Sequence, residues 1–321
     1  MMYSMKKGLS LLAILLALTV TVSGCSREQQ AAAEKPKAVN VTYVKAPLNI
    51  PSIVEKQTGA FDKEFGKDGI TVSYPEITAG PKQTEAMAAG SVDFAHCLGG
   101  TAAILAAANG VDLKITGIYS RAPKAFELLA KDQGIQSVKD LKGKKVAGPK
   151  GTVLHQLLLT ALDKNGMKAD DVEFITMDIP GAVAALMNGS VDAALAAGPD
   201  ALKAEMAGAR VITNGEGLVE ATIVTAVRGE FYRKYPDLVQ RFMKTHYATL
   251  DYIKNNQEEA LKMTAAETGL TIDMVKRMAP LYDFDARIKP SDIEELKATQ
   301  EFLLKNGMLT KQIDIEQLIV K

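Results

Sequence analysis

The chain has 321 residues, 47% of them hydrophobic, with 38 basic and 38 acidic side chains that cancel to a formal net charge of zero at neutral pH. Such a balance offers no basic surface for nucleic acid, and the length suffices to bury one large or two medium hydrophobic cores. With two cysteines in all, no disulfide framework can be built.

The N-terminus opens with Lys6 and Lys7, runs through apolar or small residues from Leu9 to Val22, and ends that run in Val22-Ser23-Gly24-Cys25. Charge, apolar stretch and small-residue site in that order are the signature of an export signal. The apolar run falls short of the ~20 residues that a membrane-spanning helix needs. Val-Ser-Gly-Cys resembles a bacterial lipoprotein box, which implies removal of residues 1–24 and a lipid on Cys25. Cleavage there also removes Lys6 and Lys7, tips the formal charge to −2 and leaves Cys97 as the single thiol. Residues 25–37, polar and poor in bulky apolar side chains, read as a tether.

Strand and helix then alternate. Strands are expected over 39–44 and 70–74, with a helix over 52–65 between them. A helix from Pro81 to Gly90 uses proline where its missing N–H costs nothing, and strand 92–95, loop 96–100, helix 101–109 and strand 114–119 follow. The pattern repeats with strand 145–147, helix 153–164, strand 172–176, helix 180–188, strand 191–194, a helix from Asp200 to Ala207 and strand 210–213. Segments 126–131 and 222–227 read as the entry to and exit from this second region. Beyond Phe231 only helices are expected: one opened by Pro236 with an apolar stripe at Val239, Phe242, Met243, His246, Leu250 and Ile253, one begun by Thr271, and a last one capped by Ser291-Asp-Ile-Glu294. His246, within the stripe, reads as a packing or surface residue.

The alternation is duplicated. Glu85-Ala-Met-Ala-Ala-Gly90-Ser-Val-Asp93 recurs as Ala184-Ala-Leu-Met-Asn-Gly189-Ser-Val-Asp192, and at the same offset of 99 residues Pro81 matches Pro180 and Gly99 matches Gly198. A unit of that size is too long for a solenoid repeat and fits two similar lobes with a cleft between them. The expected division is lobe one from 38–122 and 228–321, lobe two from 123–227, joined by two crossings that make a hinge. The expected fold class is α/β and two-lobed, each lobe a mainly parallel sheet flanked by helices.

In open parallel sheets, ligands meet the loops after the strands. Here these are 46–51, 78–81, 96–101, 149–155, 178–181 and 196–200, most of which run into a helix start with free N–H groups and a partial positive charge. The ligand-binding candidates are Thr78, His96, Gly100, Thr101, Gly151, Thr152, His155, Asp178, Gly181, Pro199, Asp200 and Glu220. Gly80, Gly181 and Gly198 serve equally as helix caps or as cleft lining. Cys97 reads either as a cleft residue or as a buried inert thiol, and His155 either as a donor to an anion or as solvent-facing. The first lobe contributes no acid among its helix starts and the second contributes Asp178, Asp200 and Glu220, which suggests an anionic head on one side and a hydrogen-bond donor or amine on the other. No paired histidines for a metal, no phosphate-binding glycine loop and no nucleophile elbow are present, so neither cofactor nor catalysis is expected.

Thr78-Ala-Gly-Pro81, Ala89-Gly-Ser-Val-Asp93, Asp140-Leu-Lys-Gly-Lys-Lys-Val146, Lys150-Gly-Thr152, Gly189-Ser-Val-Asp-Ala193 and Arg233-Lys-Tyr-Pro236, taken together, resemble the substrate-binding proteins of ABC importers for aliphatic sulfonates, taurine and nitrate. The resemblance covers nearly the whole chain after the tether. It implies a periplasmic-binding-protein-like fold (type II) with two α/β lobes around a hinge, export and lipid anchoring at the cell envelope, a monomer, a permease and an ATPase as partners, and a site lined by Thr78, Gly100-Thr101, Lys150-Gly151-Thr152, His155 and the 196–200 loop. Where sulfonate binders of the family carry an aromatic Trp-Asp-Pro-Tyr-like segment this chain has Ala196-Ala-Gly-Pro-Asp200, and it has no tryptophan. A small sulfonate or taurine ranks first as ligand, before nitrate, a carboxylate or a thiamine-precursor heterocycle. The rival readings are an enzyme of the thiamine-pyrimidine-synthase type and the effector domain of a transcription regulator, which would need a helix-turn-helix that the tether cannot hold.

Overall fold

The computed structural model describes residues 35–320. The expected signal peptide 1–24, Cys25 and most of the tether lie outside them. No helix of the described residues is long and apolar enough to cross a membrane.

The first stretch runs β1 (Ala38–Asn40), α1 (Ile50–Thr58), α2 (Ala60–Gly66), β2 (Thr71–Ser73), α3 (Gly80–Ala88), β3 (Phe94–Gly99), α4 (Gly100–Ala108) and β4 (Leu113–Arg121). The helix expected over 52–65 is therefore two, and the loop expected over 96–100 is mostly strand. The second stretch runs β5 (Phe126–Ala130), β6 (Lys145–Gly148), α5 (Val153–Lys164), β7 (Glu173–Thr176), α6 (Ile179–Asn188), β8 (Ala193–Ala197), α7 (Gly198–Met206) and β9 (Arg210–Asn214). Then come β10 (Thr222–Arg228), α8 (Gly229–Lys234), α9 (Pro236–Asn255), α10 (Gln257–Thr268), α11 (Ile272–Met278), α12 (Pro290–Lys305) and α13 (Ile315–Leu318).

The duplication in the sequence is a duplication of topology. The second sheet has the order β7-β6-β8-β5-β9, and β3-β10-β4 form a sheet to which the β1-β2 pair is joined by a parallel bridge between Val41 and Phe94. The resulting order β2-β1-β3-β10-β4 is the same pattern. In each sheet one strand runs against the others, β10 in the first and β5 in the second. Each of these is the strand the chain enters directly after passing from the other sheet, so β10, expected to close the second region, belongs between β3 and β4 of the first.

The repeated Gly-Ser-Val-Asp has the same structural task in both copies. Gly90 (φ 74°) and Gly189 (φ 81°) adopt the left-handed conformation that ends a helix at low cost, and the next N–H closes the turn, Ser91 to the Ala86 carbonyl at 3.0 Å and Ser190 to that of Ala185 at 2.9 Å. Val92 and Val191 are buried. The aspartate carboxylate then accepts the backbone N–H of the neighbouring strand, Asp93 from Asn40 at 3.0 Å and Asp192 from Lys145 at 2.8 Å. The tetrad is a helix stop joined to a strand start.

The helices after β10 pack on the first sheet and its helices. α9 lies on α1 and α2, with Phe242 stacked between Phe94 and Phe61 at 3.9 and 4.3 Å between ring centroids. α12 lies on α4, and Ile319 bridges to Ile115 at the edge of β4. The cap expected at Ser291 is displaced: α12 starts at Pro290, and Asp292 accepts the Lys289 N–H at 2.7 Å while holding Arg121 through two bonds of 2.6 Å. That pair ties the end of β4, where the chain leaves for the second sheet, to the last long helix.

Candidate functional site

The strand ends of the two sheets face each other, and the loops there touch. The carbonyl of Pro47, in the loop after β1, lies where a Cβ on Gly198 would come within 2.3 Å of it, so only glycine fits at the start of α7. A second contact joins the starts of α4 and α5. A Cβ on Gly99 would meet Val153 Cγ2 at 3.4 Å, and the Thr101 hydroxyl donates to Gln156 Oε1 at 2.6 Å.

These two helix starts have an uncommon electrostatic character. α4 begins at Gly99-Gly100 without a side-chain cap, and neither α4 nor α5 has an acid in its first turn. Two positive helix ends thus abut without an internal counter-charge, with Lys150 next to them. α5 is capped only weakly, by Thr152 at 3.5 Å. Of the neighbouring helix starts, the Ser52 N–H of α1 donates to the Tyr119 hydroxyl at 3.2 Å and Asp178 caps α6 by accepting from the Gly181 N–H at 2.9 Å, whereas α3 likewise has neither a side-chain cap nor an acid in its first turn. Beside Gly100, the buried hydroxyl of Thr222 has no hydrogen-bond partner among the described residues.

Below the loops of the first sheet lies a buried polar network. His96 Nε2 meets Glu55 Oε2 at 2.9 Å, His246 Nδ1 meets Glu55 Oε1 at 2.6 Å, and His96 Nδ1 meets Thr225 Oγ1 at 2.9 Å. Burial alone would push the Glu55 carboxyl up, but the two imidazoles outweigh it and hold it below the ordinary carboxylate range, while burial depresses His96. Glu55, His96 and His246 form the one set of metal-ligand side chains among the described residues. Each imidazole faces its own carboxylate oxygen, an arrangement in which Glu55 accepts from two N–H donors, and the ligand atoms of the three residues lie within 4.8 Å of one another.

Directly after His96 the chain is strained. Cys97 has φ 81° and is the extra residue of a bulge, since His96 pairs with Thr225 and Leu98 with Val224. Its side chain lies beside Ser52 and Tyr119, and burial pushes the thiol well above its ordinary range, which makes it unreactive.

The candidates named from the sequence separate into groups. Gly100, Thr101, Gly151, Thr152 and His155 come together where α4 meets α5. His155 lies tilted against Phe174 with 4.6 Å between ring centroids and accepts from the Gly151 N–H at 3.4 Å, and burial, with Lys150 nearby, lowers it to about 4, so it is neutral. Asp178, Gly181, Pro199 and Asp200 form a second group. The Asp200 carboxyl, half-buried at the start of α7, is pushed up by burial and by Asp178 against the pull of Lys203. Thr78 and Glu220 are exposed. His96 differs from the expectation that it faces the cleft: at 1% exposure, with both ring nitrogens engaged, it belongs to the floor beneath. Reasoning from sequence missed Glu55, Gln156 and Thr222. The usable signal was a polar residue inside an apolar helical run, as in Ile53-Val54-Glu55 and Gln156-Leu157-Leu158-Leu159.

The model of the family described as NMT1/THI5 like matches residues 49–260. A Bacillus subtilis (strain 168) protein named for binding aliphatic sulfonates is 30% identical over 98% of this chain and 95% of its own length. An Escherichia coli (strain K12) protein of the same name is 29% identical over 90% of both. Among solved structures, the alkanesulfonate-binding protein SsuA from Xanthomonas axonopodis pv. citri, bound to MOPS, superposes with a TM-score of 0.82 at 26% identity, covering 90% of this chain and 99% of that one.

Proposed function

This chain belongs to the NMT1/THI5-like family, and on that premise we propose that it captures a small organic anion of the sulfonate or taurine type outside the cytoplasm and hands it to an ABC importer, without catalysis of its own. The observation that carries the proposal is the pair of uncapped or weakly capped helix starts, α4 and α5, brought together with no acid in either first turn. An anionic head between them relieves the repulsion of two positive helix ends and takes up the N–H groups they present. The orphaned Thr222 hydroxyl supplies a further donor. Each helix end contributes ~0.3–1 kcal/mol, whereas micromolar binding needs about −8 kcal/mol, so lobe closure and exclusion of water supply most of the affinity.

In this reading residues 38–122 with 228–321 form one lobe and the second sheet the other, with β10 assigned to the first, and the chain works as a lipid-anchored monomer through Cys25. Asp178 and Asp200 give the far side of the site an acidic face, which favours a ligand with an amine opposite its sulfonate. A thermal-shift series tests this: at 100-fold excess over the dissociation constant a ligand adds ~2.7 kcal/mol of stability. Taurine and short alkanesulfonates should raise the midpoint, and Asp200→Asn should weaken taurine more than ethanesulfonate. A rise with a neutral heterocycle alone would overturn the anion reading.

A further inference from the structure

We infer that Gln156 is the latch that holds the two halves closed over the ligand, and that it acts by linking α4 to α12 through α5. This rests on the reading that solute capture closes the two lobes. Gln156 is the fourth residue of α5 and is 6% exposed. Its carbonyl oxygen accepts from the Thr101 hydroxyl at 2.6 Å, and its amide nitrogen donates to the Thr299 hydroxyl at 3.0 Å. Thr101 and Thr299 are themselves buried and sit on α4 and α12, both packed on the first sheet. One side chain from the second half is thereby gripped at both ends by the first.

The chemistry of the three groups makes the contact specific to the closed form. A primary amide offers an acceptor and a donor in one plane, and here each meets a hydroxyl that can serve either role. When the halves part, all three side chains return to water and lose nothing, so the contact adds no barrier to opening beyond its own two bonds. When the halves close without it, a buried amide and the Thr101 hydroxyl stand unpaired, and the Thr299 hydroxyl keeps only its 3.5 Å donation to Glu295. Thr101 is also a residue of the α4 start assigned to the anion. With its hydroxyl committed to Gln156, it faces the ligand through its backbone only, and the latch fixes the first turn of α4 in the position where that backbone can serve. Gln156 is accordingly a positioning residue, and an exposed ion pair between Lys305 and Asp163, at 2.9 Å, spans the same α12–α5 junction on the surface.

The test uses the full chain with spin labels at two exposed positions flanking the cleft, 85 on α3 and 203 on α7, together with stopped-flow binding of taurine and ethanesulfonate. Gln156→Ala and, separately, Thr299→Val should each shift the label distances of the ligand-free protein toward longer values. Both should raise the ligand off-rate by about tenfold, equal to ~1.4 kcal/mol, with an on-rate unchanged within about twofold. In the double variant the effect should not exceed that of Gln156→Ala, because both substitutions break one chain of bonds. Thr299→Val lies at the outer end of the chain and leaves Gln156 in place, which guards against a variant that merely misfolds. Label distances and off-rates unchanged in both variants would overturn the latch. Altered distances with no sulfonate binding in any variant would support the latch and sink the ligand reading instead.

Discussion

Strands β3 and β8 occupy the same place in the two copies of the fold, follow the same Gly-Ser-Val-Asp and lead into helices at the same offset, yet they carry different chemistry. β8 is Ala193-Ala-Leu-Ala-Ala197, fully buried and regular. In β3 the residue equivalent to Leu195 is His96, bonded to Glu55 and Thr225, and the next residue, Cys97, is bulged at positive φ. What the two copies share builds the scaffold, and where they differ one copy has become a polar floor beneath the loops. Repetition therefore locates the architecture, and its breakdown locates specialisation.

The largest effect is expected at that floor. Glu55→Ala leaves two buried imidazole N–H groups without an acceptor and should destabilise the protein by ~3–5 kcal/mol in denaturant unfolding. Leu195→Ala, at the equivalent strand position of the other copy, removes packing only and should cost ~2–4 kcal/mol. If both variants lose the same stability at every pH, the contrast between floor and core is wrong, because the loss in Glu55→Ala alone should vary with the protonation of His96, which burial depresses.

A smaller effect separates the two tetrads. Asp93 and Asp192 make the same backbone bond, but Asp93 also holds Arg228 at 2.8 Å in a largely buried pair, whereas Asp192 has Lys144 at 3.9 Å near solvent. Asp93→Ala should cost ~2–3 kcal/mol and Asp192→Ala ~1 kcal/mol, read from the same unfolding curves. Equal losses would mean that the shared backbone bond is the whole contribution.

The smallest effects are pH-dependent and of opposite sign. Burial, with Glu205 adding, raises Glu127 on β5 to about 7 against the pull of Arg277. Its folded-state proton is thus held more tightly than in the unfolded chain, so its term is fully present below about pH 4.5 and is lost as pH rises through about 7. Glu127→Gln should raise the thermal midpoint at pH 8, and the gain should shrink toward pH 5. His155, lowered to about 4, is neutral when folded, so stability falls as pH drops from about 6.5 toward 4. His155→Gln should remove that acid-side loss, and a thermal midpoint that falls as steeply as in the parent chain would contradict it.

Much of the architecture was legible because duplication and strand-helix alternation are local patterns. The order of elements through β9 follows from periodicity, and the role of Gly90 and Gly189 as helix stops follows from their type. Two features were not legible. β10 looks like any β-branched strand, and nothing local says that it inserts between β3 and β4, since that pairing spans more than 100 residues of chain. The polar floor was equally hidden: Glu55, His96 and His246 come from three distant segments, and each alone is a polar residue in an apolar run. At the candidate site, Gly100, Thr101, Gly151 and Thr152 were named because helix starts announce themselves, and they lie together where α4 meets α5. Gln156 was not, because its role depends on which helix of the other half it meets.

The proposed capture places the anionic head between the starts of α4 and α5. The most direct measurement is a crystal structure of the protein grown with 2-bromoethanesulfonate, in which bromine marks the organic end by anomalous scattering. Sulfonate oxygens are expected within hydrogen-bonding distance of the backbone N–H groups of Gly100 and Thr101, with the bromine directed toward Asp178 and Asp200. A sulfonate seated at the start of α7, or turned so that the bromine faces Gly100, would contradict it.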